Sequence, residues 1–335
     1  MRRRDLGLAL LGLPALVRPA AAEAGVVRIS KQYGLPYLPM LVMERQQLVE
    51  KHAAKLGLGV LKVEWPQLGG PSPQVDGLLT GNLEFIGPGI PTLATLWDKT
   101  AGTPQEVRAL CAMQSMPFVL VTRNAAVRTI ADFGPQDKIA LPGVKLTGHA
   151  LSLEMAAARQ WGADQYDRLD PLTVTLSHPD AMAALLSGRS EVDSHFASSP
   201  FYYYELAAPG IHQVLKSYDV IGGRHTNGVL LVTKRFHDAN PTVCAAVFAA
   251  QTEANEVIKA DPRGCAKIYL EMTGDKQVGL DEFAKWVADP DVDYTTTPNN
   301  AMTIVGFMHK VGRIKRQPAS WQDLFFSEAH GLAGS

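Results

Sequence analysis

The sequence predicts an α/β protein of two lobes, and three observations support this prediction. Short apolar runs alternate with helical patterns through the first two thirds of the chain. Loops that contain glycine and proline follow several of the predicted strands and open the next helix. The 335 residues also exceed the size at which one hydrophobic core keeps growing, so two lobes are expected.

The βαβ order of the predicted elements favours parallel, doubly wound sheets. Strands are predicted at residues 26–30, 60–65, 85–86, 118–122, 138–141 and 172–176. Helices are predicted at residues 38–56, from Ser72 onward, at 148–161 and at 180–186. Apolar residues recur at helical spacing along 148–161, which indicates one buried face. The two βαβ units are alike in architecture, although no repeat of individual residues links them.

The last third of the chain has helical periodicity and is predicted to pack against the first lobe. Asn240 is a good N-cap residue, and Pro241 suits the first helical position. Asp261 and Pro262 begin the next predicted helix in the same way. Further helices are predicted at 280–288 and 299–311.

The first 22 residues are typical of a secretory signal. Arginines 2–4 precede an apolar run at 6–17, and alanines 20–22 follow it. The apolar run has 12 residues, whereas a helix needs roughly 20 to span a bilayer core of ~30 Å. We therefore expect cleavage after Ala22, with Ala24 as the alternative site. The protein is expected to be periplasmic and exported by the Sec route rather than the twin-arginine route.

Charge and cysteine content exclude several classes of function. Removal of residues 1–22 leaves 28 basic and 32 acidic residues, and no basic stripe for nucleic acid is visible. The densest basic run, 310–316, is interpreted as a solvated helix face or turn. Cys111, Cys244 and Cys265 are widely spaced; they allow one disulfide but imply no disulfide framework.

The sequence carries none of the common motifs for catalysis or for metal or cofactor binding. The sequence has no zinc-ligand spacing, no serine-nucleophile elbow and no dinucleotide fingerprint. Residues 143–150 have Walker-type glycine spacing, but His149 and Ala150 stand where the mechanism needs Lys and Ser or Thr. We therefore expect a protein that is not an enzyme and that holds no metal or cofactor.

Glycine-containing loops at strand ends are the candidate binding elements, because ligands of open parallel sheets bind outside the carboxyl ends of strands. The loops are 33–37, 69–72, 87–91 and 142–149. Helix N-termini that converge there can hold an anion without a buried cation. Tyr33 and Tyr37 either wall a pocket or belong to the core. His149 and His195 are either donors to an oxyanion or ordinary histidines.

Several spaced motifs together resemble the nitrate/sulfonate/taurine class of binding proteins of ABC importers. They lie at 64–71, 77–85, 87–91, 179–188 continuing to Asp193, and 236–241. The resemblance covers about residues 26–330. It implies the type II periplasmic-binding-protein fold, in which two lobes joined by two crossovers close on a ligand. Lobe one would comprise 26–116 and 227–335, with the C-terminal helices on it, and lobe two would comprise 117–226.

The resemblance also implies that loops 70–72 and 87–91 face side chains of lobe two. The predicted ligand-binding residues are Tyr33, Tyr37, Gly70, Pro71, Ser72, Gly87, Gly89, Ile90, Pro91, Lys145, Thr147, His149, Asp193, His195 and Asn227. Two departures leave the ligand open. Glu84 stands where the family usually has Asp, and residues 143–147 replace a loop of small residues.

The expected function is that of a periplasmic, monomeric solute-binding protein of an ABC importer. It would capture a small organic anion, a sulfonate or a carboxylate, and deliver it to a membrane permease and its ATPase. Two alternatives stay open at the level of sequence. One is a binding protein for a neutral or cationic heterocycle such as a thiamine-precursor pyrimidine, clamped by Trp65, Tyr33 or Tyr37. The other is a periplasmic sensor subunit.

Overall fold

The computed structural model describes residues 23–335, and the predicted signal segment 1–22 lies outside the described residues. The strands are β1 Val26–Ser30, β2 Lys62–Glu64, β3 Phe85–Ile86, β4 Val107–Ser115, β5 Val119–Thr122, β6 Ile139–Leu141, β7 Thr173–Thr175, β8 Ser194–Ala197, β9 His212–Lys216 and β10 Thr226–Thr233. The α-helices are α1 Leu38–Gln46, α2 Leu48–Lys55, α3 Pro71–Thr80, α4 Ile90–Thr100, α5 Gly148–Trp161, α6 His178–Ser187, α7 Phe201–Leu206, α8 Ser217–Ile221, α9 Lys234–Ala239, α10 Pro241–Ala260, α11 Pro262–Thr273, α12 Leu280–Val287 and α13 Ala301–Lys310.

The strands form two five-stranded sheets with the same plan. One sheet has the order β2-β1-β3-β10-β4, and the other has the order β7-β6-β8-β5-β9. In the first, β1 is parallel to β2 and β3, whereas β10 is antiparallel to β3 and β4. In the second, β6 is parallel to β7 and β8, whereas β5 is antiparallel to β8 and β9. The α/β class and the likeness of the two units are therefore confirmed.

The expectation of wholly parallel sheets is wrong at one strand in each sheet. The antiparallel strands, β5 and β10, are the first strands that the chain forms after crossing from the other sheet. These crossovers lie between Ser115 and Val119 and between Lys216 and Thr226. In each sheet, the strand that follows the crossover is antiparallel to both of its neighbours. The limits of the lobes, 26–116 with 227–335 against 117–226, stay a prediction about where each unit ends.

The C-terminal helices cover the first sheet, as expected. Helix α10 packs on α1, α2 and β4, α11 packs on α1, and α13 packs on α4. Phe85 and Leu230 of the sheet share a buried apolar core with Met43 of α1 and Val247 of α10. Burial of these apolar side chains away from water is the main source of the stability of the lobe.

Three local features differ from the sequence prediction. The helix predicted at 38–56 is divided at Gln47, whose φ of 51° is left-handed. Strands β4 and β10 were not predicted because they are buried along nearly their whole length and lack apolar–polar alternation. Asn240 precedes α10, but its side chain does not cap that helix; Oδ1 accepts from the Ala24 N–H instead.

The disulfide that the sequence allowed does not form. Cys111, Cys244 and Cys265 are all buried, and none of them forms a disulfide. Cys244 fills the place of a small apolar residue on α10. Across residues 23–335, no helix combines the length and apolar character needed to cross a membrane.

The two lobes touch across the cleft that separates the sheets. The Leu35 N–H donates to the Ser199 carbonyl at 2.8 Å, and Thr92 Oγ1 donates to the Leu146 carbonyl at 2.8 Å. Gly70 packs so tightly that a Cβ atom there would lie 2.8 Å from the Pro142 carbonyl oxygen. The closed arrangement therefore requires glycine at position 70.

We predict that Gly70→Ala opens the cleft without unfolding either lobe. Gly70 has extended backbone angles that alanine also adopts, so the cost falls on the contact between lobes. Spin labels at Leu79→Cys and Leu186→Cys, both exposed on opposite lobes, would report the interlobe distance. The closed population should fall, while the free energy of unfolding changes by less than about 0.5 kcal/mol.

Gly69→Ala is the matched control for this experiment. A Cβ atom at Gly69 would meet only Ser177 Cβ at 3.8 Å, an ordinary van der Waals contact. Its distance distribution should match that of the wild type. Equal distributions for Gly70→Ala and Gly69→Ala would show that contact at Gly70 does not limit closure.

Candidate functional site

A cavity of about 40 Å³ lies between the lobes, where loops at the carboxyl ends of strands from both sheets meet. The lining residues are Gln32, Tyr33, Pro36, Tyr37, Pro71, Gly87, Pro88, Gly89, Thr92, Phe118, Pro142, Thr147, Gly148, His149, His178, Ser198 and Asn227. Since one buried water needs about 10–15 Å³ on this measure, the cavity has room for about three water-sized groups.

Four helices begin at the cavity, two from each lobe. Helix α3 reaches it through Pro71 and α4 through its N-cap Gly89. From lobe two, α5 reaches it through Thr147 and His149, and α6 through His178. The first N–H groups of a helix lack intrahelical acceptors and carry a partial positive charge. The four starts therefore place a positive potential on the cavity from both sides.

Hydrogen bonds hold the lobe-one wall in place. The Tyr37 hydroxyl donates to the Gly87 carbonyl at 2.6 Å, and burial raises its pKa far above the usual range. Gln32 Nε2 donates to Gln74 Oε1 at 2.6 Å. The buried Gln74 in turn donates to Ser30 Oγ at 2.8 Å. These bonds fix Gln32 and Tyr37 before any ligand arrives.

The lobe-two wall is built around His149. Thr147 caps α5, because its Oγ1 accepts from the Ala150 N–H at 3.3 Å. His149 Nε2 lies 2.9 Å from Ser198 Oγ, and its ring packs on Phe118 with centroids 3.8 Å apart. Its other nitrogen, Nδ1, is buried and has no hydrogen-bond partner in the protein.

A second buried group without a partner is the Nδ2 amide of Asn227, which comes from β10 of lobe one. An amide nitrogen can only donate, and a buried donor without an acceptor costs about 1–3 kcal/mol. Asn227 of lobe one and His149 of lobe two thus each bring one buried polar group without a partner to the cavity. Buried polar groups in proteins are nearly always satisfied, so both are suited to a ligand.

His178 continues into a buried polar chain behind the cavity. Its Nδ1 lies 2.8 Å from Nε2 of His195, and Nδ1 of His195 lies 2.5 Å from Oε1 of Glu205. His195 and Glu205 have no solvent exposure. The ring of His178 stacks on Phe201 with centroids 5.2 Å apart.

The site is electrically neutral in its side chains. None of the lining residues is Lys, Arg, Asp or Glu. Burial lowers the pKa of His149 and His178 well below the usual value, and it lowers the pKa of His195 to about 3. Neighbouring imidazoles lower the pKa of His149 further. The histidines at the cavity are therefore neutral at physiological pH, and they act as hydrogen-bonding groups, not as cations.

More than half of the predicted site residues line this cavity. They are Tyr33, Tyr37, Pro71, Gly87, Gly89, Thr147, His149 and Asn227. Gly70 lies beside it, in the contact with Pro142. Ser72 is exposed on α3, whereas Ile90 and Pro91 are buried in the first turn of α4, where Thr92 reaches the cavity instead.

Three predicted residues of lobe two lie away from the lining. The Lys145 side chain is 64% exposed, and its Nζ lies 3.6 Å from Asp170. Asp193 precedes β8, at the opposite end of the strand from the cavity, and burial raises its pKa to about 6. His195 lies within β8 and reaches the cavity only through His178.

Several lining residues were not among the predicted ligand-binding residues. They are Gln32, Pro36, Pro88, Thr92, Phe118, Pro142, Gly148, His178 and Ser198. Among them, Pro36, Pro88, Pro142 and Gly148 do lie in the predicted binding loops. His178 could have been found, because Ser177 and Pro179 mark a helix start directly after a predicted strand. Ser198 had no such signal, since β8 was not predicted.

A larger groove of about 500 Å³ adjoins the cavity and shares Gln32, Tyr33 and Tyr37 with it. Its walls include Met182 and Phe201 of lobe two. Within residues 23–335, no group of three or more His, Cys, Asp or Glu side chains is arranged to hold a metal ion.

No family model and no curated protein matches the sequence. Solved structures do match in fold. The alkanesulfonate-binding protein SsuA from Xanthomonas axonopodis pv. citri, bound to MOPS, has a TM-score of 0.68 at 16% identity, covering 90% of this chain and 99% of its own. The nitrate-binding protein NrtA from Synechocystis PCC 6803 has a TM-score of 0.67 at 14% identity, covering 92% and 86%.

A Candida albicans protein with the generic periplasmic binding protein fold is also similar. It has a TM-score of 0.61 at 13% identity, and 92% of each chain is covered. At these identities the likeness concerns the fold. Together with the shared strand order of the two sheets and the two crossovers, it shows that this chain has the type II periplasmic-binding-protein fold.

Proposed function

We propose that this chain is an exported solute-binding protein that captures a small anion between its lobes and delivers it to an ABC importer. The proposal includes a periplasmic location, a monomer, and a permease with its ATPase as partner. Binding, not catalysis, is the inferred activity. Turnover of a bound ligand by the purified protein would contradict it.

The observation that carries the proposal is the convergence of four helix N-termini on a cavity with two unpartnered polar groups. Helices α3, α4, α5 and α6 begin there, and His149 Nδ1 and Asn227 Nδ2 have no partner in the protein. Helix N-termini bind anions through their N–H groups and dipoles. An acceptor-rich ligand would satisfy both groups, provided that the proton of His149 is on Nδ1, with Nε2 accepting from Ser198.

An anion suits this neutral site better than a cation does. A cation would face the positive ends of four helix dipoles and would find no carboxylate in the lining. An anion would gain from these dipoles and from hydrogen bonds that are stronger for a charged acceptor. The small volume of the closed cavity favours a compact head such as sulfonate, carboxylate or nitrate.

Closure supplies the capture step. Contacts such as Leu35 with Ser199 form only when the lobes meet, and they bury the ligand at the same time. A ligand shifts this equilibrium only through a higher affinity for the closed form. The closed surface would then be the form that docks on the permease. The fold and the spaced motifs at 64–91 and 179–193 support this role.

A heterocycle is the second candidate ligand, because Tyr33, Tyr37 and Phe118 provide aromatic walls. Trp65 is not part of the lining; it lies near Lys31, whose Nζ is 5.9 Å from its ring. The volume of about 40 Å³ is the argument against a ring-sized ligand in this closed form. A sensor role would use the same closure, and genes for a permease and an ATPase beside this one would favour the importer.

We predict that small anions stabilise the protein and that matched neutral molecules do not. Methanesulfonate, acetate and nitrate should raise the thermal midpoint, with a stabilisation of about 2.7 kcal/mol at one hundred times the dissociation constant. Methanesulfonamide and acetamide are the neutral controls, and an aminopyrimidine tests the alternative. Stabilisation by the aminopyrimidine alone would replace the anion by a heterocycle.

We predict that His149→Ala and Asn227→Ala each weaken binding of the anion that the screen finds. Loss of one hydrogen bond to a charged group costs about 1.5–3 kcal/mol, which is roughly a 10- to 150-fold rise in the dissociation constant. Calorimetric titration measures it. Lys145→Ala is the control, because its exposed side chain does not line the cavity, and its affinity should stay within about twofold. A larger loss in Lys145→Ala than in the other two variants would place the site elsewhere.

A further inference from the structure

The buried chain behind the cavity joins three ionisable groups in one line. His178 lines the cavity and bonds through Nδ1 to His195, and His195 bonds through its other nitrogen to Glu205. Among the described residues, no Lys, no Arg and no second carboxylate hydrogen-bonds to any of the three. His195 uses one ring nitrogen for each neighbour, and His178 uses Nδ1 for His195, so the position of one hydrogen determines the others.

We propose that one proton on the Glu205–His195–His178 chain makes His178 Nε2 a donor towards the cavity, so that the anion is bound together with this proton. The proposal rests on the proposed function, since it concerns the same cavity. Glu205 acts through the two histidines and is a positioning residue that touches no ligand.

With the proton present, the hydrogen bond from His195 to His178 has the same direction whether Glu205 or His195 holds the proton. If Glu205 is protonated, it donates to His195 Nδ1; if the proton moves to His195, that nitrogen donates to a carboxylate. In both cases His195 Nε2–H donates to Nδ1 of His178. His178 then carries its own hydrogen on Nε2, and this N–H is available to an acceptor in the cavity.

Without the proton, the hydrogen bond between His195 and His178 reverses. The Glu205 carboxylate accepts from His195 Nδ1–H, which leaves His195 Nε2 as an acceptor. His178 must then donate through Nδ1, so its Nε2 presents a lone pair to the cavity. An anion would meet a lone pair and a buried negative charge where it had met a donor.

The other ionisable groups around the cavity do not account for a titration near neutral pH, which leaves the Glu205–His195–His178 chain as the titrating unit. His149 of α5 and His225, which precedes β10, are the other imidazoles; burial lowers the pKa of both, that of His225 to about 4. Asp180 of α6 lies at the exposed start of its helix beside Ser177. Strand β5 presents Val119 and Val121 on this side, and lobe one presents the neutral Gln32 and Tyr37.

Burial also raises the pKa of Glu205 well above its usual value, which favours the protonated form of the three-residue chain. Above the pKa of the Glu205–His195–His178 chain in the unliganded protein, binding of each anion must be accompanied by uptake of one proton. The dissociation constant should then rise about tenfold per pH unit. Below that pKa the affinity should be constant.

Calorimetric titration with methanesulfonate from pH 6 to pH 10 tests this linkage, because this anion does not titrate in that range. Buffers of different ionisation enthalpy give the number of protons taken up, and one per anion is expected at high pH. Glu205→Gln removes the carboxyl group that takes up the proton, so affinity should not depend on pH. Glu106→Gln, which changes a buried carboxylate of lobe one far from the cavity, should keep the wild-type profile.

Nitrogen NMR of the His178 ring tests the switch without any ligand. The ring signals can be assigned with His178→Gln. In the wild type the hydrogen should move from Nε2 to Nδ1 as the pH rises, and in Glu205→Gln its position should not change with pH.

The two experiments separate the possible failures. A tautomer change without binding of any small anion would contradict the proposed function and leave the proton chain intact. Three results would overturn the proton linkage: an affinity independent of pH in the wild type, the same pH profile in Glu205→Gln, or an unchanged His178 tautomer.

Discussion

Contact between the two lobes is the interaction on which the rest of the site depends. The bonds from Leu35 to Ser199 and from Thr92 to Leu146 bring together loops that belong to different sheets. His149, whose Nδ1 is buried, and Asn227, whose Nδ2 is buried, line the same small cavity from different lobes. A buried donor without an acceptor is unfavourable, so an acceptor bound between the lobes would be favoured there. A ligand that satisfies both groups would stabilise closure, which would be the energetic basis of the proposed capture.

Neutrality is the second property that shapes the site. A buried cation would attract an anion strongly, but its desolvation would cost several kcal/mol when the site is empty. Helix starts and neutral imidazoles avoid that cost and still present positive potential and donors. The price is that the donor character of an imidazole depends on its tautomer. The chain from His178 to Glu205 fixes that tautomer from within lobe two.

Much of the fold could be predicted because its βαβ units follow local rules. Helix α5 was predicted at its observed bounds, since Thr147 caps it and its apolar residues recur regularly. Strands buried on both faces, such as β4 and β10, carry no alternation and were missed. The site was predictable where loops follow strands, as at Gly87 and His149. The site was not predictable at the ends of β8, because that strand was not predicted. Asp193 was placed in the site and lies at the far end of the strand, whereas Ser198 at the near end was missed. Lys145 lies in a predicted binding loop, but its side chain is exposed to solvent. Its backbone is left-handed, and its Nζ lies near Asp170 instead of the cavity.

A crystal structure of the protein grown with methanesulfonate tests the central claim most directly. The account predicts closed lobes and a sulfonate group in the cavity, with oxygens within hydrogen-bond distance of His149 Nδ1 and Asn227 Nδ2. A sulfonate bound only in the adjoining groove, or closed lobes around an empty cavity at saturating anion, would contradict it.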